Sequence, residues 1–382
     1  MRIGIDASRA FIRNRTGIEE YSYQVIKSLA YRQAGLMNKL EGHRVVLYIR
    51  KSQISNLKSQ ISLPEDWRVK VIHFPYLWTQ IGLSLEMLLH PVDVLFIPAH
   101  TVPCIHPKNT FVTIHGLEYE FCPKAYSFWE RIYMRCVIKN SCQWTKKIIA
   151  VSENTKKDLM NLYKVPEEKI EVIYEGCNYY VIARSETTKQ SNNSEERLLR
   201  FARNDGDFYL LFIGRLEERK NISGIIEAFE ILKEKYKIPH KLVLAGKPGF
   251  GFTKARNKIQ DSRYKNDILL KGFVKDDKKE NLLKNADVFL FPSFYEGFGL
   301  PVLEAQAAGV PVVTSNVSSL PEVADSSAIL VDPKKPEEIA EAAYKLISDE
   351  NFRNDIINRG FENIKRFSWD KCAEEIAELL KA

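Results

Sequence analysis

Phe291 to Ser315 reads FPSFYEGFGLPVLEAQAAGVPVVTS, and the order of its residues describes a strand end, a loop, a short helix and a second buried strand. The apolar run Val288 to Phe291 stops at Pro292 and Ser293, and Gly297 and Gly299 make a loop that backbone and ligand can approach closely. Pro301 suits a first helical position, where its missing N–H costs nothing, and Gly309 suits the left-handed cap that closes a helix of about two turns. Two acids stand here with seven residues between them, Glu296 in the glycine loop and Glu304 in the helix. Carboxylates so placed can accept hydrogen bonds from ligand hydroxyls, and N–H groups at the helix start attract phosphate. A helix-start acid and a solvated loop acid would be spelled the same way.

Outward from this stretch, short apolar runs alternate with helical patterns. Ile3 to Ile5, Val45 to Ile49, Val69 to Ile72, Val92 to Ile97, Phe111 to Ile114, Ile148 to Val151 and Glu171 to Ile173 make one series. Tyr209 to Ile213, Leu242 to Ala245, Ile268 to Lys271, Val288 to Phe291, Val312 to Thr314 and Ile329 to Val331 make a second. That rhythm predicts α/β domains with mostly parallel sheets. Between the series the polar stretch SETTKQSNNSEE has no apolar period and reads as a linker. The expected division is a domain over 1–182, a linker over 183–206, a second domain over 207–366 and a terminal helix over 367–382.

At 382 residues the chain suits two domains of ordinary size, and 45% hydrophobic with 27% charged residues is a globular balance. Lys and Arg exceed Asp and Glu by seven (56 against 49). This mild, unpatterned basicity fits anionic ligands or an anionic membrane face and gives no reason to expect nucleic acid. The start, MRIGIDASR, enters a strand directly, so no leader peptide is expected. The most apolar stretch, Ile81 to Pro98, holds Glu86, His90, Pro91 and Asp93 and is not a membrane span. Six scattered cysteines without a C-x-x-C pair read as thiols of a reducing cytoplasm. No P-loop, G-x-G-x-x-G fingerprint or D-x-D metal-binding pair at a strand end stands out to suggest a cofactor or metal, and the adjacent acids Asp276 and Asp277 read as helix caps.

Several further motifs follow strands. Gly214-Arg215-Leu216-Glu217-Glu218-Arg219-Lys220-Asn221 sets a glycine turn and cations before a helix from Ile222, where Arg215 and Lys220 can neutralise a diphosphate without metal. Gly246-Lys247 ends the next strand in the same manner. His115 closes the run to Ile114, at the strand end where open α/β sheets bind ligands. Arg15 to Tyr21, with Gly17, opens a helix running toward Leu29, and Ser152 or Asn154 caps another. Between Lys124 and Lys147, six basic residues meet the single acid Glu130 among Tyr126, Phe128, Trp129, Tyr133 and Trp144. Arg131, Arg135 and Lys139 recur every fourth residue and so share a helix face, either a solvated face or one that lies on anionic lipid.

YEGFGLPVLEA, followed by AAGVPVVTSN and LPEV (Leu320 to Val323), resembles the signature of the retaining glycosyltransferases of family 4, with its E-x7-E motif. The resemblance runs from Asp6 to about Trp369. It implies the GT-B fold, two Rossmann-like domains facing across a cleft, with the last helix returning to the N-terminal domain. It implies a metal-independent transfer of a hexose, of mannose or glucose type, from a nucleotide diphosphate sugar to a saccharide or lipid-linked saccharide acceptor in the cytoplasm. It places Glu296 by the donor sugar and Glu304 on the ribose. Gly297, Phe298, Gly299 and Leu300 would offer backbone N–H groups to sugar and phosphate, and Arg215 and Lys220 would take the diphosphate. His115 would bond the donor sugar, while the segment Gly272, Phe273 and Val274 would meet the base. Gly17, with Glu19 where many relatives have glycine, would lie near the phosphates, and Gly214 would form the turn beside them. A sugar-nucleotide epimerase on the same architecture and a binding protein without turnover are the alternatives.

Overall fold

A computed structural model describes residues 1–13, 15–31, 39–177 and 208–382, together with the backbone but not the side chains of Asp276 and Asp277. The expected linker 183–206 lies outside the described residues. The chain forms two compact units, Met1–Gly176 with Phe367–Ala382, and Cys177–Arg366.

The first unit holds seven parallel strands: β1 (Arg2–Asp6), β2 (Arg44–Arg50), β3 (Trp67–Ile72), β4 (Val94–Ile97), β5 (Asn109–Ile114), β6 (Lys147–Ala150) and β7 (Ile170–Val172). Their spatial order is β3-β2-β1-β4-β5-β6-β7. Ile3 lies between Val45 and Val94 in register, and Ile114 lies beside Ala150. The second unit holds six, β8 (Tyr209–Ile213), β9 (Lys241–Ala245), β10 (Ile268–Gly272), β11 (Val288–Phe291), β12 (Val312–Ser315) and β13 (Ile329–Val331), in the order β10-β9-β8-β11-β12-β13. Every apolar run read as a strand is one. β4, β11 and β12 are buried along their whole length because helices cover both faces of a parallel sheet, which explains why their sequences are unbroken apolar runs.

In each sheet the order reverses direction at one place: between β1 and β4 in the first unit, and between β8 and β11 in the second. Loops leaving the carboxyl ends of those two strands diverge to opposite sides, which opens a crevice where α/β sheets bind ligands. Below that point in the second unit, Phe212 and Phe289 each stack on Phe291 with ring centroids 5.9 Å apart. The helix Leu300–Ala307 follows β11, and Gly309 closes it at φ +69°, a backbone that a side chain would strain. The helix Trp369–Lys381 belongs to the first unit and packs on the helix Gly17–Ala30.

A buried ion cluster at the switch point of the second sheet

The loop after β8 and the loop after β11 meet through one carboxylate. Glu296 is 7% exposed, and its Oε1 accepts from Lys220 Nζ at 2.5 Å. Its Oε2 accepts from Arg219 Nη1 at 3.0 Å, a guanidinium that also donates to the Tyr295 carbonyl at 2.7 Å and to Glu217 Oε1 at 2.8 Å. The backbones join as well, with the Phe294 amide donating to the Arg219 carbonyl at 2.9 Å. Lys220, itself 8% exposed, lies 4.9 Å from the centroid of the Phe291 ring, so its ammonium is seated on an aromatic floor and not in water.

These groups shift one another. Burial alone would raise the Glu296 carboxyl, but Lys220 and Arg219 outweigh it and hold the group below the ordinary carboxylate range. Burial, with Arg219 adding to it, pulls the Lys220 ammonium down, against the opposing influence of Glu296. Glu296 and Glu217 balance Lys220 and Arg219 in this dry place, and the Arg215 guanidinium beside Glu217 leaves the group one positive charge in excess to offer a developing anion. Arg215 sits at the rim with its side chain 68% exposed, and its nearest acid is Glu217 at 3.7 Å.

The roles of the cations differ from the sequence expectation in one respect. Arg215 and Lys220 were the pair singled out, but it is Arg219 that grips Glu296 beside Lys220. Arg219 stood in the same motif as one more charge in a turn, and no spacing rule separates a turn charge that folds inward from one that stays in solvent.

Serines at the end of β12 and just after it fix the acidic loop, a feature the sequence reading passed over. Ser318 Oγ accepts from the Glu296 amide at 3.1 Å and bonds the Glu296 carbonyl at 2.5 Å. Ser319 Oγ reaches the Glu296 and Phe298 carbonyls at 3.0 and 2.5 Å. Ser315 Oγ donates to the Ser293 carbonyl at 2.6 Å. Ser318 stands at φ +60°, a conformation that costs energy for a residue with a Cβ and persists where surrounding bonds over-determine it.

Glu304 is the fifth residue of the helix Leu300–Ala307, past its first turn, so a capping role is excluded. Its carboxylate is partly exposed and accepts from Lys279 Nζ at 2.5 Å, a partner on the helix Asp276–Lys284. Gly299 is the cap residue of that short helix, Leu300 begins it, and Gly297 lies in the loop before it. The Phe298 ring is buried. Across the neighbouring strand ends, the Gly214 amide donates to the Ala245 carbonyl at 3.0 Å and the Gly246 amide to the Gly272 carbonyl at 2.7 Å. A Cβ on Gly246 would stand 1.7 Å from the Gly214 carbonyl oxygen, so only glycine permits this approach. Lys247 Nζ lies 4.7 Å from the centroid of the Phe273 ring, which is half-exposed beside Val274. The structure therefore gathers Gly214, Gly272, Phe273 and Lys247 along the carboxyl edge of β8, β9 and β10.

His115 and Gly17 belong to the first unit. Gly17 is the first residue of its helix, and Glu19 caps that helix, accepting from the Thr16 amide at 3.1 Å. His115 is buried, with Nδ1 3.1 Å from Glu175 Oε1 and Nε2 2.9 Å from the Pro98 carbonyl oxygen. A carbonyl only accepts, so Nε2 carries a proton toward Pro98. Tyr21 packs edge-on at 4.5 Å and itself contacts Trp369 at 6.0 Å. The resemblance assigned His115 to the donor sugar, but both ring nitrogens are already engaged. Ring contact with a sugar hydroxyl requires one of these bonds to open. Glu175, the partner of His115, is separated from it by 60 positions and left no signal in the sequence.

Residues 25–179 match the family described as Glycosyltransferase Family 4, and residues 194–363 match Glycosyl transferases group 1. O-antigen chain mannosyltransferase B of Escherichia coli is 30% identical over 274 residues, covering 72% of this chain and 70% of that one. An uncharacterized glycosyltransferase of Methanocaldococcus jannaschii is 30% identical over 393 residues, covering 95% and 96%. The fold is shared with Anabaena HepE, solved in complex with UDP and glucose, at a TM-score of 0.71 and 18% identity over 100% of this chain and 99% of that one. Likeness of sequence across both units, and of fold from end to end, admits one classification: the chain belongs to the group 1 glycosyltransferases of family 4 and is an enzyme of glycosyl transfer with the GT-B fold.

Proposed function

We propose that the enzyme moves a hexose, mannose before glucose, from a nucleoside diphosphate sugar to a hydroxyl of a saccharide or lipid-linked saccharide, with retention of configuration and without metal. The product is read as a surface polysaccharide made on the cytoplasmic side of the cell membrane. The observation that carries the reading is the cluster of Lys220, Arg219 and Glu296 where the loops after β8 and β11 diverge. It holds cations at fixed positions in a water-poor site, balanced by Glu296 and Glu217, and the rim guanidinium of Arg215 adds the excess positive charge and forked donors that fit a phosphate. The mannose preference is supported by the name of the Escherichia coli relative.

In the proposed reaction the bond from sugar C1 to the leaving phosphate oxygen breaks, and its electron pair stays with the phosphate. The acceptor oxygen bonds C1 on the same face, and its proton passes to the departing phosphate. Arg215 and Lys220 bind the charge that builds on the diphosphate, which lowers the barrier where the charge appears. Glu296 holds Lys220 in place and offers an acceptor to a sugar hydroxyl, while Glu304, paired to Lys279, takes the ribose hydroxyls.

The test is incubation with GDP-mannose, UDP-glucose and other nucleotide sugars, each with saccharide acceptors and with EDTA. Transfer from GDP-mannose that persists in EDTA and gives the donor's anomeric configuration by proton NMR supports the reading. Loss of transfer in EDTA with recovery on added manganese, or an inverted product, overturns it. Release of an epimerised sugar without acceptor would do the same.

A further inference from the structure

The first sheet has its own reversal point, between β1 and β4, and the residues just beyond those strand ends take no part in the donor contacts proposed above. His100 stands there, a short step past Ile97, the last residue of β4, and Arg9 stands likewise past Asp6, the last of β1. No sequence motif singled out His100. It is held by His115, whose amide donates to His100 Nδ1 at 3.4 Å and whose ring meets it edge-on with centroids 5.4 Å apart. The His115 ring also donates from Nε2 to the Pro98 carbonyl at 2.9 Å, so one histidine fixes the segment that carries the other. An Nδ1 that accepts leaves the proton of a neutral imidazole on Nε2. The ring is neutral, because desolvation, with His115 and Arg9 adding to it, pulls its pKa well below the ordinary histidine value. His100 is partly exposed, and its Nε2 meets no group among the described residues.

We infer that His100 binds the saccharide acceptor, donating from Nε2 to a hydroxyl beside the one that reacts, and that His115 orients it for this. An N–H fixed from behind and unpaired in front, at the carboxyl end of a strand where α/β sheets bind ligands, is placed to meet a ligand oxygen. The proposed donor contacts belong to the second unit, which leaves the reversal point of the first for the other substrate. A neutral N–H suits an uncharged hydroxyl. An anion would select a protonated ring, and Arg9 and His115 both oppose that charge. Nor is the ring a base: Nδ1 is occupied and Nε2 already carries its proton, so the acceptor's own proton is left to the departing phosphate. The same geometry accounts for His115, whose engaged ring supports a sugar contact without making one. The inference rests on the proposed transfer for the class of its ligand, while the tautomer and the open Nε2 do not depend on it.

Two substitutions separate the near nitrogen from the far one. His100→Asn keeps an acceptor for the His115 amide and deletes the far donor, whereas His100→Gln carries an amide N–H to about the place of Nε2. With GDP-mannose as donor and methyl α-mannoside as acceptor, His100→Asn should raise the acceptor KM about fivefold or more and leave the donor KM and the thermal melt as in the parent. His100→Gln should recover most of the lost affinity. An unchanged acceptor KM in His100→Asn, a donor KM that rises in its place, or a glutamine variant no better than the asparagine one overturns the inference. Nitrogen-15 NMR of the full chain labelled at histidine provides a reading without turnover, so a failure of the proposed reaction is told apart from a failure here. At pH 7 the His100 ring should be the neutral Nε2–H tautomer, and methyl α-mannoside should move its signal. An imidazolium, an Nδ1–H tautomer or a signal that the mannoside leaves in place overturns the assignment whatever the enzyme transfers.

Discussion

Replacing Glu296 by Gln keeps the shape of the side chain and deletes the anion that Lys220 and Arg219 share. Glutamine can accept from one cation, but its amide then turns two N–H donors toward the other. Removing one partner of a buried ion pair costs about 3–5 kcal/mol. Lys220 has an escape, because it can shed its proton. For a lysine of ordinary pKa that step costs about 4–5 kcal/mol at pH 7, and it costs less here because burial and Arg219 already pull the group down. The expected loss is therefore about 3 kcal/mol at pH 7.

The sign with pH follows. In the variant the neutral lysine is the folded form, so the unfolded chain binds more protons, and the deficit shrinks as pH rises, by up to about 1.4 kcal/mol per unit. In the parent, Glu296 is depressed when folded, so its contribution is present above the ordinary carboxylate value and lost as pH falls through the folded one. Parent and variant converge in acid and in base and differ most in the mildly acidic range between the ordinary carboxylate value and neutrality. Urea unfolding followed by far-UV circular dichroism is the assay. Tryptophan fluorescence would miss it, since all five tryptophans lie in the first unit. A variant within about 0.5 kcal/mol of the parent at pH 7 would refute the buried cluster, since surface changes rarely exceed that.

Lys220→Met leaves Glu296 with Arg219 and should cost less stability than Glu296→Gln, yet weaken binding of a nucleoside diphosphate by about tenfold or more in calorimetry. Equal affinity in variant and parent would remove Lys220 from the diphosphate site. Ser318→Gly keeps the positive φ and deletes the hydroxyl pair to Glu296. It should lower kcat with little change in nucleotide affinity, whereas a matching loss in both would assign Ser318 to the fold alone. Glu175→Gln keeps an acceptor for His115 and should be mild. Glu175→Leu should lose about 3 kcal/mol by leaving the buried imidazole without its partner, and equal melts for the two variants would contradict the pairing. Burial, with Lys233 nearby, pushes His240 down to about 4, so the unfolded chain takes up its proton first and stability falls as pH drops from about 6.5 toward 4, by about 3 kcal/mol in all. His240→Leu should flatten that part of a urea-midpoint curve, and an unchanged slope would refute the assignment.

The alternation of apolar runs located every strand of both sheets without help from tertiary structure. A parallel strand buried on both faces needs a continuous apolar run, and few other structures use one. Pro301 and Gly309 likewise bounded a helix by local chemistry, a missing N–H and a positive φ. Glu296, Glu304, Arg215 and Lys220 were found as residues in motifs at strand ends, because the end of a buried strand is a place that sequence marks. Their partners were not. Arg219 folding inward, Lys279 against Glu304, Glu175 against His115, and the serines after β12 holding the acidic loop each join residues far apart in the chain or alike in exposure on paper. Which way a charged side chain turns is decided by the balance of desolvation against a partner delivered by another strand, and that balance exists only once the sheet has formed. The aromatic helix Phe128–Trp144 makes the same point in reverse. Its letters suited a core as well as a surface, and only the packing of Ile138 and Cys142 on the first sheet left Phe128, Trp129, Ile132 and Tyr133 facing out.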